Sequence, residues 1–272
     1  MSRNKIVQID TTTFTGLHNL HVLDLSNNLI NLQCNSSAFK YLDSLKELNL
    51  ESNQINKLNS NIFEGLVSLQ LLRLNRNKIK EIDSNAFSGL KNLQFLFLEA
   101  NQIIQLKEND FEGLASLKEL WLSGNPGIKL NANAFSGLAN LKTLMLAGNK
   151  LNEINLDVFK CLSNLRVLNL VNNLITELKE NQFDGLYNLQ DLWLQKNIIN
   201  KVNETAFEGL HYLQHLDLNQ NQISQLTVNT FEGLLKLQIV NVSRNKLSET
   251  IAKEFQENMM NHFNKRINIK IE

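Results

Sequence analysis

The chain has 272 residues, 43% of them apolar and 20% charged, which is the range of globular proteins. Lys+Arg and Asp+Glu number 27 each, so the formal net charge is zero and gives no electrostatic ground for a nucleic acid or an anionic membrane surface as partner. No run of about 18 apolar residues is present to span a bilayer, so no membrane insertion is expected. The N-terminal stretch MSRNKIVQID lacks the apolar core of a secretory signal. A single proline leaves no visible linker, so no domain boundary is expected before the C-terminal tail.

Taken in chain order, the sequence repeats itself. Asn recurs at 4, 28, 53, 77, 101, 125, 149, 173, 197, 221 and 245, and every step is 24 except the 25 from Asn28 to Asn53. Around each Asn the leucines recur as well: Leu117, Leu120, Leu122 and Asn125 are matched by Leu141, Leu144, Leu146 and Asn149, and again by Leu189, Leu192, Leu194 and Asn197. Ten residues after nearly every Asn comes Phe followed by x-Gly-Leu, as in Phe63–Leu66, Phe111–Leu114 and Phe207–Leu210. Period-2 alternation in Leu-x-Leu predicts a short strand with one buried face. A unit of 24 residues cannot bury that face alone, so neighbouring units must stack it into a continuous core of parallel strands. Ten of the fourteen phenylalanines (14, 39, 63, 87, 111, 135, 159, 183, 207 and 231) fall in one column, which reads as a buried spine.

This pattern resembles the leucine-rich repeat family, in the 24-residue class of Toll-like receptor ectodomains and small leucine-rich proteoglycans. The resemblance runs from Asn4 to about Leu247 in ten full periods. It implies an α/β solenoid, a horseshoe with a parallel sheet on its concave side and an irregular convex side. It also implies a ladder of buried Asn side chains satisfying the loops, which the eleven aligned asparagines would supply. One repeat domain over 1–272 is expected.

The two ends depart from the period. Ser2-Arg3-Asn4-Lys5-Ile6 aligns with Ser243-Arg244-Asn245-Lys246-Leu247, so the chain reads as starting inside a repeat, after its strand. That leaves either removed upstream repeats or an exposed sheet edge. Beyond Leu247, Ile251, Phe255, Met259 and Phe263 recur at helical spacing on one face. Ile267, Ile269 and Ile271 then alternate like a strand. Residues 248–272 are therefore expected to form a helix-strand cap, of the kind solenoid ends need.

Cys34 and Cys161 are the only cysteines and lie five repeats apart. Five strand steps of about 4.8 Å place them roughly 24 Å apart, beyond the ~7 Å reach of a disulfide, so both are expected to remain thiols. Extracellular relatives usually carry disulfide-bonded caps, which this chain lacks. The repeat class thus suggests a cell-surface or extracellular setting, while the thiols and the leaderless N-terminus suggest the cytoplasm. Asn35-Ser-Ser, Asn203-Glu-Thr and Asn241-Val-Ser fit the glycosylation pattern at a frequency chance supplies in so Asn-rich a chain. Asn241 also falls on the predicted binding face. His215 and Asp191 share a column on adjacent strands, with Asp217 nearby, but a metal site wants three or four converging ligands and none is expected. No phosphate loop, nucleophile elbow or zinc-protease motif appears, and no cofactor or catalysis is expected.

Function is expected on the strands. If the three leucines point inward, the residue between the last two points outward. That column reads Asp24, Asn49, Arg73, Phe97, Trp121, Met145, Asn169, Trp193, Asp217, Asn241, and it holds both tryptophans. Phe95, Val171 and Ala147 flank it, and Ala100, Gly124 and Gly148 leave a trough beside it. Glu99 and Glu119 are expected as an acidic rim, Arg73 and Arg76 as a basic one. An exposed apolar patch rimmed by charge marks an interaction site, and Trp is enriched at interface hot spots. The expectation is a non-catalytic recognition module that binds a protein partner through this patch. A small ligand or glycan on the same aromatics, or a self-associating scaffold fragment, are the alternatives. Pro126-Gly127 displaces Ile128 by one place, which either shifts the loop at the patch edge or is neutral.

Overall fold

The computed structural model describes residues 1–32, 37–263 and 267–271, and resolves into two compact units, Met1–Thr143 and Leu144–Glu272. Cys34 and the Asn35 sequon lie outside the described residues.

In the first unit the strands Val22–Asp24, Glu47–Asn49, Leu71–Arg73, Phe95–Phe97 and Glu119–Trp121 pair in parallel, each with the one a repeat away. Every strand is three residues long with its central leucine buried, because only the central Leu of x-Leu-x faces the core. In the second unit Val167–Asn169, Asp191–Trp193, His215–Asp217 and Ile239–Asn241 do the same. The strand Thr143–Met145 lies across the division. Each unit is thus a stack of one-repeat turns, the solenoid the period implies.

Behind the strands the asparagines hold the turns. Asn101 Nδ2 donates to the carbonyls of Leu98 (3.0 Å) in its own turn and Leu74 (3.0 Å) in the turn before, while its Oδ1 accepts the N–H of Ile79 at 3.0 Å. One amide side chain therefore satisfies three backbone groups that the bend would otherwise orphan in the core, with a longer contact of 3.3 Å to the Glu99 carbonyl besides. The same bonds recur at Asn53, Asn77, Asn173, Asn197 and Asn221, all buried. The ladder is shorter than eleven, however. Asn4 is exposed, and among the described residues its Nδ2 donates to the carbonyls of Met1 and Ser2 rather than to a neighbouring turn.

The phenylalanine column is core throughout, each ring at most 2% exposed. Rings stack at 6.0–6.3 Å from Phe14 to Phe135 and at 5.9–6.4 Å from Phe159 to Phe231, the spacing of offset aromatic pairs. The far side is less irregular than expected: Lys57–Leu58 pairs with Glu81–Ile82, Gln105–Leu106 with Lys129–Leu130, and Glu177–Leu178 with Lys201–Val202. Ile128 stays in the core, because the turn at Gly127, at φ 96°, absorbs the displaced place.

The tail forms the expected cap. A helix spans Glu249–His262, opened by Ser248, whose Oγ accepts the N–H of Ile251. Phe255 and Met259 are buried. The strand Asn268–Lys270 then adds in parallel to Ile239–Asn241, with Ile267 buried before it.

Candidate functional site

All ten residues of the outward column end their strands half-buried, neither core nor fully exposed. What they do there divides them in two. Asp24, Asn49, Asn169, Asp217 and Asn241 each accept, through Oδ1, the backbone N–H two residues on, at 2.9–3.2 Å. This Asx bond fastens the loop that leaves the strand. Arg73, Phe97, Trp121, Met145 and Trp193 have no such acceptor to offer. The column's structural default is therefore Asp or Asn, and five turns have given it up for large side chains.

In the first unit those side chains are fitted to one another. Arg73, Phe97 and Trp121 are register partners on three successive strands. The Arg73 guanidinium lies 5.6 Å from the centre of the Phe97 ring, a cation–π distance. Phe97 in turn meets Trp121 at 5.7 Å between ring centres, tilted by 38°. Trp121 Nε1 donates to Glu119 Oε2 at 3.0 Å. The result is a continuous platform, Arg-Phe-Trp-Glu, whose rotamers are fixed by mutual contact rather than by burial. Phe95 sits half-exposed at its edge, in register with Glu119.

The expected rims take a more specific form. Glu119 is tied to the tryptophan. Glu99 is half-buried, and Oε2 is enclosed without a hydrogen-bond partner. Burial holds its carboxyl above the usual carboxylate range, and the nearby Glu51 pushes in the same direction. Arg76 is exposed and its Nε lies 3.7 Å from Glu51. Ala100, Gly124 and Gly148 have a backbone reason to be small or flexible as well as any role as a trough. The residue just before the ladder Asn takes φ of 52–71° at all three, and Asn27, Ser52, Arg76, Asn172, Lys196 and Gln220 do likewise.

In the second unit Met145, Val171 and Trp193 are outward and half-buried, with Trp193 in register between Asn169 and Asp217. His215 Nδ1 contacts Asp191 Oδ1 directly, as the shared column predicts. Asn241 and Asn203 both have their amide oxygens engaged, by Ser243 and Thr205 respectively. Cys161 is half-buried, and that burial pushes its thiol pKa up, away from the reactive thiolate. Among the described residues no three His, Cys, Asp or Glu side chains are grouped to hold a metal ion, and no helix is long and apolar enough to cross a membrane. Sequence reasoning did not find the Asx column, the Arg73–Phe97 contact or Glu51. The alternation of Asn and Asp with large residues was the signal available for the first.

Stacked one-repeat turns, a strand with an inward leucine, an Asn ladder and a phenylalanine spine define a repeat solenoid with an outward-facing strand surface. The leucine rich repeat model matches residues 32–79, 68–126, 128–175, 163–223 and 187–247, and the chain belongs to that family. Lumican of Gallus gallus is 43% identical over 58 residues and keratocan of Gallus gallus 41% over 59, each match covering 21% of this chain and 17% of the relative. Among solved structures, a chain of the TLR13–ssRNA13 complex superposes with a TM-score of 0.86 at 28% identity, over 99% of this chain and 39% of that one. A chain of the octameric complex of latrophilin 3, Unc5D and FLRT2 (LRR) gives 0.82 at 26%, over 99% and 82%. An internalin of Listeria monocytogenes, at 20% identity and 0.63, shares the fold alone. The chain thus spans a small part of the curated relatives and under half of the first of these structures. One neighbour is complexed with single-stranded RNA, so the zero net charge does not by itself exclude a nucleic acid.

Proposed function

We propose that this chain is a non-catalytic recognition module that binds a protein partner on the outward face of its strands, with Arg73, Phe97 and Trp121 as the anchor in the first unit. The observation that carries this reading is the surrendered Asx bond. Five turns show that Asp or Asn in this column fastens the loop. Replacing it with Arg, Phe, Trp, Met and Trp forgoes a hydrogen bond and leaves apolar area in water. Neither serves the fold. A pre-ordered aromatic and Arg surface is what interface hot spots are made of, because little side-chain entropy remains to be lost on docking. The solved neighbour that contains FLRT2 together with latrophilin 3 and Unc5D is a protein assembly, which supports a protein as the partner class.

A second reading is a single-stranded nucleic acid, favoured by the neighbour complexed with ssRNA and by the fact that bases stack on aromatic and Arg planes. Both readings are tested by affinity capture with wild type beside Trp121→Ala, with and without nuclease. Trp121 is half-buried and outward, so its truncation should lower stability by only about 1 kcal/mol, mostly the lost contact with Phe97. It should weaken capture by about 2 kcal/mol or more. Lys107→Ala, at an exposed position just after the far-side strand Gln105–Leu106, should change neither. Nuclease-resistant capture indifferent to Trp121→Ala would remove this face as the site. Capture lost on nuclease treatment would favour the second reading.

A further inference from the structure

The platform in the first unit has unequal accounts of charge. Three basic side chains near it are engaged: Arg73 on the Phe97 ring, Arg76 toward Glu51, and Lys118 through its Nζ with Gln94 Oε1 at 2.8 Å. The acceptors are not all engaged, because Glu99 Oε2 is enclosed without a hydrogen-bond partner. Glu119 gives one oxygen to the indole N–H, which leaves its negative charge beside Trp121. The chain's own Arg73 already shows that a guanidinium seats on this ridge, but on Phe97, while indole is the stronger cation–π acceptor. Among the described residues no cation lies over Trp121 or Trp193.

The second unit carries a related pattern. Trp193 follows Asp191 at the spacing at which Trp121 follows Glu119, and Asp217 is its register partner. In the same column as Glu99, Gln195 also keeps an enclosed side-chain oxygen without a donor. In both units, then, a tryptophan follows a carboxylate by two residues and stands near an acceptor without a donor among the described residues, but in the second unit Asp191 is already held by His215, which leaves Trp121 the better seat.

We propose that the Trp121 platform is the seat for a cationic side chain, Lys or Arg, of a basic segment of the protein partner, the ammonium or guanidinium lying over the indole with its N–H groups toward Glu99 and Glu119. This rests on the reading that the strand face docks a protein, and specifies what that protein brings. Desolvated, a cation over a ring is worth much more than at an exposed site, and the adjacent carboxylates add charge-assisted hydrogen bonds. Binding would also lower the Glu99 pKa, since a facing cation offsets the burial and the Glu51 charge that raise it.

The test uses the full chain carrying Trp193→Phe, so that Trp121 is the one remaining tryptophan of two. Its emission is followed during titration with hexa-arginine and, separately, hexa-glutamate. Hexa-arginine should give a saturable change and hexa-glutamate none, and Glu99→Gln with Glu119→Gln should weaken the hexa-arginine response by about fivefold or more. Should that double substitution disturb folding, caesium and iodide quenching of the Trp193→Phe chain tests the same local charge, with caesium favoured over iodide once each is scaled to its quenching of free tryptophan. Equal responses to the two peptides, or an undiminished response in the double variant, would overturn the cationic occupant. No response to hexa-arginine while neutral acrylamide still reaches Trp121 would overturn it too, with the docking surface left standing. If acrylamide cannot reach Trp121, the docking surface itself falls.

Discussion

Two glycines show how much a single side chain can weigh in a repeat. In the Phe-x-Gly-Leu column, Tyr41 and Cys161 stand where other turns have Gly. One repeat later, Gly65 and Gly185 are the glycines that a Cβ would not fit: it would fall 2.5 Å from the Lys40 carbonyl oxygen and 2.6 Å from the Lys160 Cα. Gly89 has the same φ of 91° but nothing within 4 Å of that position. Gly89→Ala should therefore cost only the left-handed strain, about 1–2 kcal/mol. Gly65→Ala should cost about 1–3 kcal/mol more, because backbone must move. Urea unfolding of the two variants checks this, and equal losses would mean the close approach is readily relieved. At the same scale, Asn101→Ala orphans three backbone groups and should cost about 1–3 kcal/mol. Asn4→Ala breaks only exposed local bonds and should leave the melting temperature nearly unchanged.

At the scale of elements, the cap is bound to the solenoid by the same spine that runs through it. Phe231 meets Phe255 at 5.5 Å and 51°, so the helix Glu249–His262 contributes the ring that ends the stack in the second unit. Phe255→Ala should therefore cost about 3–5 kcal/mol, as much as Phe111→Ala within the column, and should expose the helix to hydrogen exchange. A helix that stayed protected in that variant would owe its docking to Met259 and the Ser248 cap instead.

For the molecule as a whole, stability should follow the number of neighbours each turn has. Before Val22 the first unit has no strand, and only Ile9 and Phe14 are deeply buried there. Hydrogen exchange should be fast before about Leu20. It should be slow at the central strand residues, from Leu48 to Leu120 in the first unit and from Leu168 to Leu216 in the second. Slow exchange throughout residues 4–17 would point to an edge covered by another chain.

The sequence by itself determined the period, the inward leucines, the phenylalanine spine, the buried asparagines and the amphipathic cap. These are legible because each is a column of like residues imposed by one backbone geometry repeated every 24 positions, so every turn restates the same burial. It also placed Arg73, Phe97 and Trp121 in one outward column, since strand period alone decides which way a side chain points. Only the tertiary structure decided what those side chains do on arrival. That Arg73 settles on the Phe97 ring, that Trp121 spends its N–H on Glu119, that Glu99 is enclosed, and that Asn4 falls out of the ladder all depend on rotamers and on which neighbours stand one turn away. The Arg73–Phe97 contact joins residues 24 apart in sequence, where no local pattern fixes a distance, and even the short-range Trp121–Glu119 bond depends on packing to choose among the rotamers that the strand leaves open.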